Sequence, residues 1–215
     1  MIKNALQSDG VDEIFKMGEE TEKEQDIFDE DYLAKIDKIK LPNTKIKLLQ
    51  QLLAKAIGEM KKVNKVKGVD FSKKMEFLVQ KYNQRDENDL LRSEVYEEMA
   101  DQLTNLIWDV YKEFKAGDDL GINFEEKAFY DILKELCIKY DFTYPEGKLI
   151  KLAQAVKDLV DGQAKFPDWN KRDDIKSALK VGLILLLDEH GYPPVERDEV
   201  YQEIFEQAEN FKRNR

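Results

Sequence analysis

Carboxylates are the first groups to consider for chemistry, because Asp and Glu together number 45 of 215 residues. One large class of metal-dependent nucleases places an acid on one strand and a Glu-x-Lys sequence on the next. Glu-x-Lys occurs four times here, as often as the composition produces by chance, at Glu59–Lys61, Glu113–Lys115, Glu125–Lys127 and Glu146–Lys148. All four fall in helical patterns rather than strand patterns. The sequence therefore predicts no nuclease centre of this kind.

Three other arrangements of acidic or glycine-rich residues also lack the context that their chemistry needs. Asp29-Glu30-Asp31-Tyr32 resembles the acidic box that holds magnesium in ATP-driven motors, but that box follows a buried strand and only Ile27 and Phe28 precede this one. No glycine-spaced run ends in Gly-Lys-Ser or Gly-Lys-Thr, which argues against a phosphate loop. Asp86-Glu87-Asn88-Asp89 lacks the glycine of a calcium loop. We expect no catalytic residue and no metal site.

The single cysteine and the single histidine both have structural interpretations. Cys137 falls on the apolar side of a helical pattern, which predicts a buried thiol. His190 precedes Gly191 in the last turn of another, where it is expected to match the helix dipole rather than to act in catalysis. One histidine and one cysteine exclude a zinc site with the usual nitrogen and sulfur ligands. One cysteine forms no internal disulfide, so a reducing cytoplasm is the expected location.

A lysine-rich block is the strongest candidate for a binding surface. Residues 39–83 hold eleven lysines and three acids, between two segments that are strongly acidic. Lys47, Lys55 and Lys62 recur at helical spacing and form one stripe, with Lys61, Lys65 and Lys67 nearby. These lysines either contact DNA phosphates or form ion pairs inside the domain. The net charge of −10 argues against a protein that coats nucleic acid over its whole surface.

Aromatic residues in rigid turns are the second candidate surface. Trp169 follows Pro167-Asp168, and Tyr192 precedes Pro193 and Pro194. Such residues either pin loops to the core or act as anchors for a partner protein. Trp169, Tyr192, Pro193 and Pro194 are accordingly the candidate docking residues.

The composition predicts an all-α fold. Only 10 glycines and 5 prolines occur in 215 residues, too few for the turns of a β-sandwich, and 37% of the residues are charged. The apolar periodicity predicts an irregular bundle of eight or nine helices with one long central helix over Asn88–Gly117. The longest apolar run is far shorter than the roughly 20 residues that span a bilayer, and no signal peptide is recognisable.

The ends of the helices follow from their capping residues. Pro42 opens a helix that Gly68 ends, and Ser72 caps the next as far as about Arg85. The capping box at Asn123-Phe124-Glu125-Glu126 begins a helix to Tyr140. A helix from Pro145 stops at Gly162, another runs from Asn170 to Gly191, and the last spans about Arg197–Lys212. Residues 1–38, with short helices around Val11–Met17 and Ile27–Lys38, form an acidic linker ahead of a helical domain at 39–215.

The residues near the end of the chain resemble those of a known family. They are Pro167-Asp168-Trp169, Asp173-Asp174-Ile175-Lys176, Leu179, Gly191-Tyr192-Pro193-Pro194, Asp198-Glu199-Val200-Tyr201 and Phe205-Glu206-Gln207-Ala208-Glu209-Asn210-Phe211. This set closely resembles the C-terminal end of the restriction (R) subunit of type I restriction-modification enzymes. Upstream, Phe28-Asp29-Glu30-Asp31-Tyr32-Leu33 and Leu48-Leu49-Gln50-Gln51-Leu52-Leu53 resemble the stretch that leaves the motor in the same family.

The resemblance implies that the chain is a piece of a longer protein, an ATP-dependent type I site-specific deoxyribonuclease. Members of the family have a nuclease domain and two DNA-translocating motor lobes before this helical end, so residues 1–38 would leave the motor region. ATP and magnesium would serve the parent protein, and no cofactor is expected in this piece. None of the family's catalytic motifs lies within these residues.

The resemblance further implies an assembly role. The helical end would join the translocase and nuclease to the methyltransferase, with the modification and specificity subunits as partners, duplex DNA reached through the complex, and no membrane. The alternative is a DNA-contacting element of the motor that works through the lysine stripe. A helical adaptor unrelated to restriction is the third interpretation.

Overall fold

Helices form all the regular secondary structure of the described residues. The computed structural model describes residues 34, 36–39, 42–84, 93–163 and 172–214. Within these ranges lie seven α-helices and one 3₁₀ turn, Asp118–Leu120, and no strand. The helices are α1 Pro42–Val63, α2 Lys65–Asn83, α3 Ser93–Lys115, α4 Phe124–Lys139, α5 Glu146–Gln163, α6 Asp173–Glu189 and α7 Asp198–Arg213.

The all-α class predicted from composition is confirmed, but the helix count differs from eight or nine. Seven α-helices occur in the described residues. The short helix predicted around Val11–Met17 lies outside them, as does most of the one predicted over Ile27–Lys38. The longest helix is α3, with 23 residues, inside the predicted Asn88–Gly117.

The chain divides into two compact units. The first unit comprises Met1–Ala56 and Lys74–Tyr111, and the second comprises Ile57–Lys73 and Lys112–Arg215. In the first unit the Tyr82 hydroxyl donates a hydrogen bond to Asn43 Oδ1 at 3.1 Å. The Tyr82 ring also meets the edge of Tyr96 at 6.2 Å between centroids. Tyr82 therefore joins the end of α2 to the starts of α1 and α3.

α4 is the most thoroughly buried helix of the second unit. It packs against α5 and α7, and α6 packs against the same two helices. Successive turns of α4 carry Phe129, Leu133 and Leu136, all 0% exposed. The core around them is completed from the other helices by Leu152, Val156, Val160, Leu179, Leu183, Leu187, Val200, Ile204 and Phe211. The apolar faces of α4, α5, α6 and α7 thus form the core of the second unit.

Two predicted helix ends are confirmed in atomic detail. The Asn123 side chain accepts a hydrogen bond from the Glu126 amide at 2.9 Å, and the Glu126 carboxylate accepts one from the Asn123 amide at 2.8 Å. This is the reciprocal capping box predicted for α4. At the end of α6, Gly191 has φ +62° and Tyr192 N–H donates to the Leu187 carbonyl at 2.9 Å. Gly191 supplies the left-handed residue that this C-terminal motif requires.

Three predicted helix ends are wrong, and a fourth lies outside the described residues. Gly68 lies inside α2, and so does Ser72, whose hydroxyl donates to the Gly68 carbonyl at 2.9 Å instead of capping a new helix. Gly162 lies inside α5, which continues to Gln163. Asn170 lies outside the described residues, and α6 begins after Arg172. A helical glycine ends a helix only where the chain takes a left-handed turn, and tertiary packing decides where that is.

Candidate functional site

The junction between α1 and α2 is a break of one residue, Asn64, which is fully buried. Its backbone amide donates to the Met60 carbonyl at 2.7 Å, so α1 ends there in ordinary helical geometry. Its side-chain Oδ1 accepts from the Lys67 amide at 3.1 Å, which caps the start of α2. Gly68 allows the start of α2 to lie close to the end of α1, because a Cβ at residue 68 would lie 2.8 Å from Lys61 Cα. The break is a specific feature of the fold.

α7 supplies the remaining hydrogen bonds at this junction through Gln207 and Asn210, which we term the α7 clamp. Gln207 Nε2 donates to the Val63 carbonyl at 2.7 Å, and Gln207 Oε1 accepts from the Lys65 amide at 3.2 Å. Asn210 Nδ2 donates to the carbonyls of Lys61 and Lys62 at 2.8 and 3.3 Å. Helix ends leave such groups without partners inside their own helix. The clamp therefore fixes where α1 stops and α2 starts.

A buried ionic network lies beneath the same junction. Asn64 Nδ2 donates to Asp131 Oδ2 at 2.7 Å. Lys127 Nζ donates to Asp131 Oδ1 at 2.6 Å and to Glu113 Oε1 at 2.8 Å. Burial would lower the pKa of Lys127, but the two carboxylates raise it above its ordinary value. Lys127 therefore stays charged, and its partners hold α3 and α4 to the break.

The turn after α6 is held by Tyr192, one of the predicted docking residues. Tyr192 is 1% exposed, and its hydroxyl donates to the Leu133 carbonyl at 2.6 Å. Its ring meets the edges of Phe142 and Tyr144, at 5.5 and 5.1 Å between centroids. Burial raises the pKa of the Tyr192 phenol, which stays protonated and able to donate. Tyr192 thus pins the turn to the core.

The other predicted docking residues differ in position. Pro194 is exposed and Pro193 is half-buried, so both reach the surface beside the buried tyrosine. Trp169 lies outside the described residues. Of the predicted docking residues that the structure describes, the two prolines are therefore the ones that reach the surface.

The predicted DNA-contacting lysines fall in both units and have different surroundings. Lys47 and Lys55 in the first unit are exposed, as are Lys61, Lys62 and Lys65 in the second, whereas Lys67 is half-buried. Three of the lysines in the second unit lie beside carboxylates: Lys62 beside Glu59 at 2.7 Å, Lys65 beside Glu206 at 3.2 Å and Lys67 beside Glu113 at 3.8 Å. These three lysines form ion pairs of the kind described by the alternative interpretation, in which the lysine-rich block pairs with acids inside the domain.

A small cleft in the second unit has a charged rim. It has a volume of about 180 Å³ and an apolar floor that includes Val66 and Ile132. Burial raises the pKa of Glu135 at its rim, and the nearby charges of Asp70 and Glu203 add to that effect. Cavities that enclose small organic ligands usually start at about 300 Å³. The cleft is therefore smaller than such a site.

The described ranges contain no arrangement of side chains suited to metal ligation or to nucleophilic chemistry. They contain no group of three or more His, Cys, Asp or Glu side chains arranged to hold a metal ion. Cys137 is half-buried rather than buried as predicted, because it lies on the edge of the core. Burial raises the pKa of its thiol, which disfavours the reactive thiolate.

In the same described ranges no helix combines the length and apolarity needed to cross a bilayer.

Sequence reasoning missed the residues that organise this site, although one signal pointed to them. Gln207 stands on the apolar stripe of α7, three residues after Ile204 and four before Phe211. Lys127 and Asp131 likewise stand on the buried side of α4. A polar residue on an apolar stripe needs a buried partner. The partners, Asn64 and the ends of α1 and α2, are more than 60 residues away and show no pattern of their own.

Comparison with known proteins places the chain in one family. The family described as "Type I restriction enzyme HindI endonuclease subunit-like, C-terminal" matches residues 1–214. A protein of Methanocaldococcus jannaschii named as the type I restriction enzyme MjaIXP endonuclease subunit is 23% identical over 217 residues, covering 98% of this chain and 19% of its own length. The type I restriction enzyme HindI endonuclease subunit of Haemophilus influenzae is 21% identical over 209 residues, covering 97% of this chain and 19% of its own. No solved structure gives a significant match.

Proposed function

The chain belongs to the family of C-terminal regions of type I restriction enzyme endonuclease subunits, and from that membership we propose that it is a non-catalytic assembly domain. It docks the ATP-dependent DNA translocase and nuclease onto the methyltransferase core in defence against foreign DNA. The chain spans 19% of the length of the relatives it matches. The cleavage activity, the ATP and the magnesium would belong to the rest of the parent protein, in the cytoplasm.

The observation that supports an assembly role is that the buried polar groups stabilise the fold. The buried polar or charged residues described are Asn64, Lys127, Asp131 and Gln207. Each of them binds another residue of the chain, and together they hold the α1–α2 junction. Catalytic sites instead keep perturbed groups in a cleft and aim them at a substrate. Here the buried polar chemistry maintains shape, which is what a docking domain needs.

The stretch from α6 to α7 is the part of the chain suited to present a docking surface. Tyr192 pins the turn, and the α7 clamp fixes α7 to the α1–α2 junction. A surface that is rigid before binding loses little conformational entropy when a partner covers it. Pro193 and Pro194, with Trp169, remain the candidate contact residues of this stretch.

The second candidate function is contact with DNA through the lysine stripe. The observation that favours it is the exposure of Lys47, Lys55 and Lys61. Against it stand the net charge of −10 and the carboxylates beside Lys62, Lys65 and Lys67. We therefore place this function second.

One binding experiment separates the two functions. The purified chain is immobilised and offered, at physiological salt, either the purified complex of modification and specificity subunits or duplex DNA. We expect it to retain the methyltransferase complex and not the DNA. Retention of DNA with no retention of the methyltransferase would reverse the order of the two proposals.

A further inference from the structure

The outward face of α6 carries large apolar side chains in contact with solvent. Val181 is 55% exposed, Ile184 39% and Leu185 64%. The opposite face of the helix, formed by Ile175, Leu179, Leu183 and Leu187, is almost completely buried. Residues three and four apart on a helix are neighbours, so Val181 lies beside both Ile184 and Leu185, and the three form one patch. A contiguous apolar patch with a polar rim is typical of a protein–protein interface.

Acidic residues stand at both ends of this patch. Asp173 and Asp174 occupy the first turn of α6, where the positive end of the helix dipole favours them, and Asp174 is already paired with Arg172 at 2.7 Å. Asp188 and Glu189 occupy the last turn and are exposed, and that turn contains no basic residue. Acids there oppose the helix dipole and weaken the helix. The stability of α6 therefore does not explain why Asp188 and Glu189 occupy its last turn. Residues that oppose the local preference of a helix in this way are typical of a functional surface.

We propose that this outward face of α6 is where the domain docks on the methyltransferase core, and that it receives an amphipathic helix whose apolar stripe is bordered by lysine or arginine. The inference rests on the proposed function. The apolar centre selects an apolar stripe, and Asp188 and Glu189 at the C-terminal end of the patch select basic residues beside it. Lys180 is a single base on this face, and it stands between the two acidic ends.

Removal of the apolar centre tests the proposal. The V181S/L185S variant of the full chain is compared with wild type for binding to the purified complex of modification and specificity subunits. We expect the Kd to rise about tenfold or more, as when an interface centre is truncated, with an unchanged melting temperature because both side chains face solvent. The matched control is I138S on α4, which alters an apolar residue that is 77% exposed but lies on another helix. Its Kd should equal that of wild type.

Reversal of the C-terminal acids gives a second readout that a purely structural role would not produce. D188K/E189K places bases where the helix dipole favours them. We expect the melting temperature to rise while binding to the methyltransferase complex weakens severalfold. The control D158K reverses an exposed acid on α5 and should leave binding unchanged.

The outcomes separate this inference from the function on which it rests. If wild type binds the methyltransferase complex and both α6 variants bind equally well, the α6 face is not the docking surface, although the proposed function stands. If wild type does not bind at all, the proposed function fails and the inference with it. If sedimentation shows that wild type self-associates and V181S/L185S does not, a second copy covers the face and the methyltransferase assignment is overturned.

Discussion

Gln207 holds two helix ends with one side chain. Its amide both donates to the Val63 carbonyl and accepts from the Lys65 amide, and it is 1% exposed. Q207M keeps the size of the side chain but leaves both backbone groups, which are partly buried, without that partner, at a cost of roughly 1–3 kcal/mol. Urea unfolding should show this loss. Q202M, an exposed glutamine on the same helix, serves as the control, and equal stabilities for the two variants would contradict the role of the clamp.

Gly68 and Gly58 are both helical glycines, yet opposite effects are expected from replacing them with alanine. A Cβ at Gly68 would lie 2.8 Å from Lys61 Cα and 2.9 Å from Lys61 N, whereas a Cβ at Gly58 has no atom within 4 Å. Alanine in an open helix position stabilises by about 0.5–1 kcal/mol. We expect G58A to gain about that amount and G68A to lose about 1–3 kcal/mol through backbone displacement. Thermal unfolding measures both, and a stabilised G68A would show that no close approach exists there.

At the scale of the helices, the sequence specified those features whose cause is local. The capping box at Asn123 and the helix end at Gly191 depend on neighbours within a few residues, and both predictions are confirmed. Gly68 and Gly162 were misassigned because a glycine inside a helix looks the same in sequence as one that ends it. The break at Asn64 depends on Gln207 and Asp131, which no local pattern connects to it. The candidate surfaces were located by residue type, but their burial depends on tertiary packing.

An ion-pair cluster joins α5 to α7, and its strength should depend on pH. Asp161 contacts Lys157 on its own helix at 2.8 Å and Lys212 on α7 at 3.1 Å. Burial would raise the pKa of Asp161, but the hydrogen bonds from the two lysines lower it below 3.8.

Because the pKa of Asp161 is lower in the folded chain than in the unfolded one, its contribution to stability is present above the unfolded value and disappears as pH falls through the folded value. D161N should therefore be less stable than wild type at pH 7 by about 0.5–1 kcal/mol, the usual range for partly exposed pairs. The difference should vanish at pH 2–3 in urea unfolding. A difference that persists in acid would assign the effect to packing and not to charge.

At the scale of the whole molecule, charge is distributed so that opposite signs meet inside the second unit. Lysines of the basic block pair with acids from the rest of the chain, as Lys65 does with Glu206 and Lys67 with Glu113. Each exposed pair contributes little to stability. Their joint effect is to reduce the positive field that the block would otherwise present to DNA. The acids left over give the chain its net charge of −10.

That charge balance yields a prediction for DNA binding by the chain alone. If the assembly proposal holds, the overall negative potential keeps duplex DNA away, and the exposed lysines of the stripe do not overcome it. We expect no measurable retention of duplex DNA at physiological salt, and at low salt a weak affinity that K47E/K55E lowers no more than a matched reversal of two other exposed lysines does. Fluorescence anisotropy over a salt series measures both, with K148E/K151E, which reverses exposed lysines on α5, as the matched control. Suppose instead that wild type binds DNA and that K47E/K55E, but not the control, reduces the slope of log K against log salt by about 2. Those two lysines would then contact phosphates, and the DNA-contacting function would replace the assembly function as the first proposal.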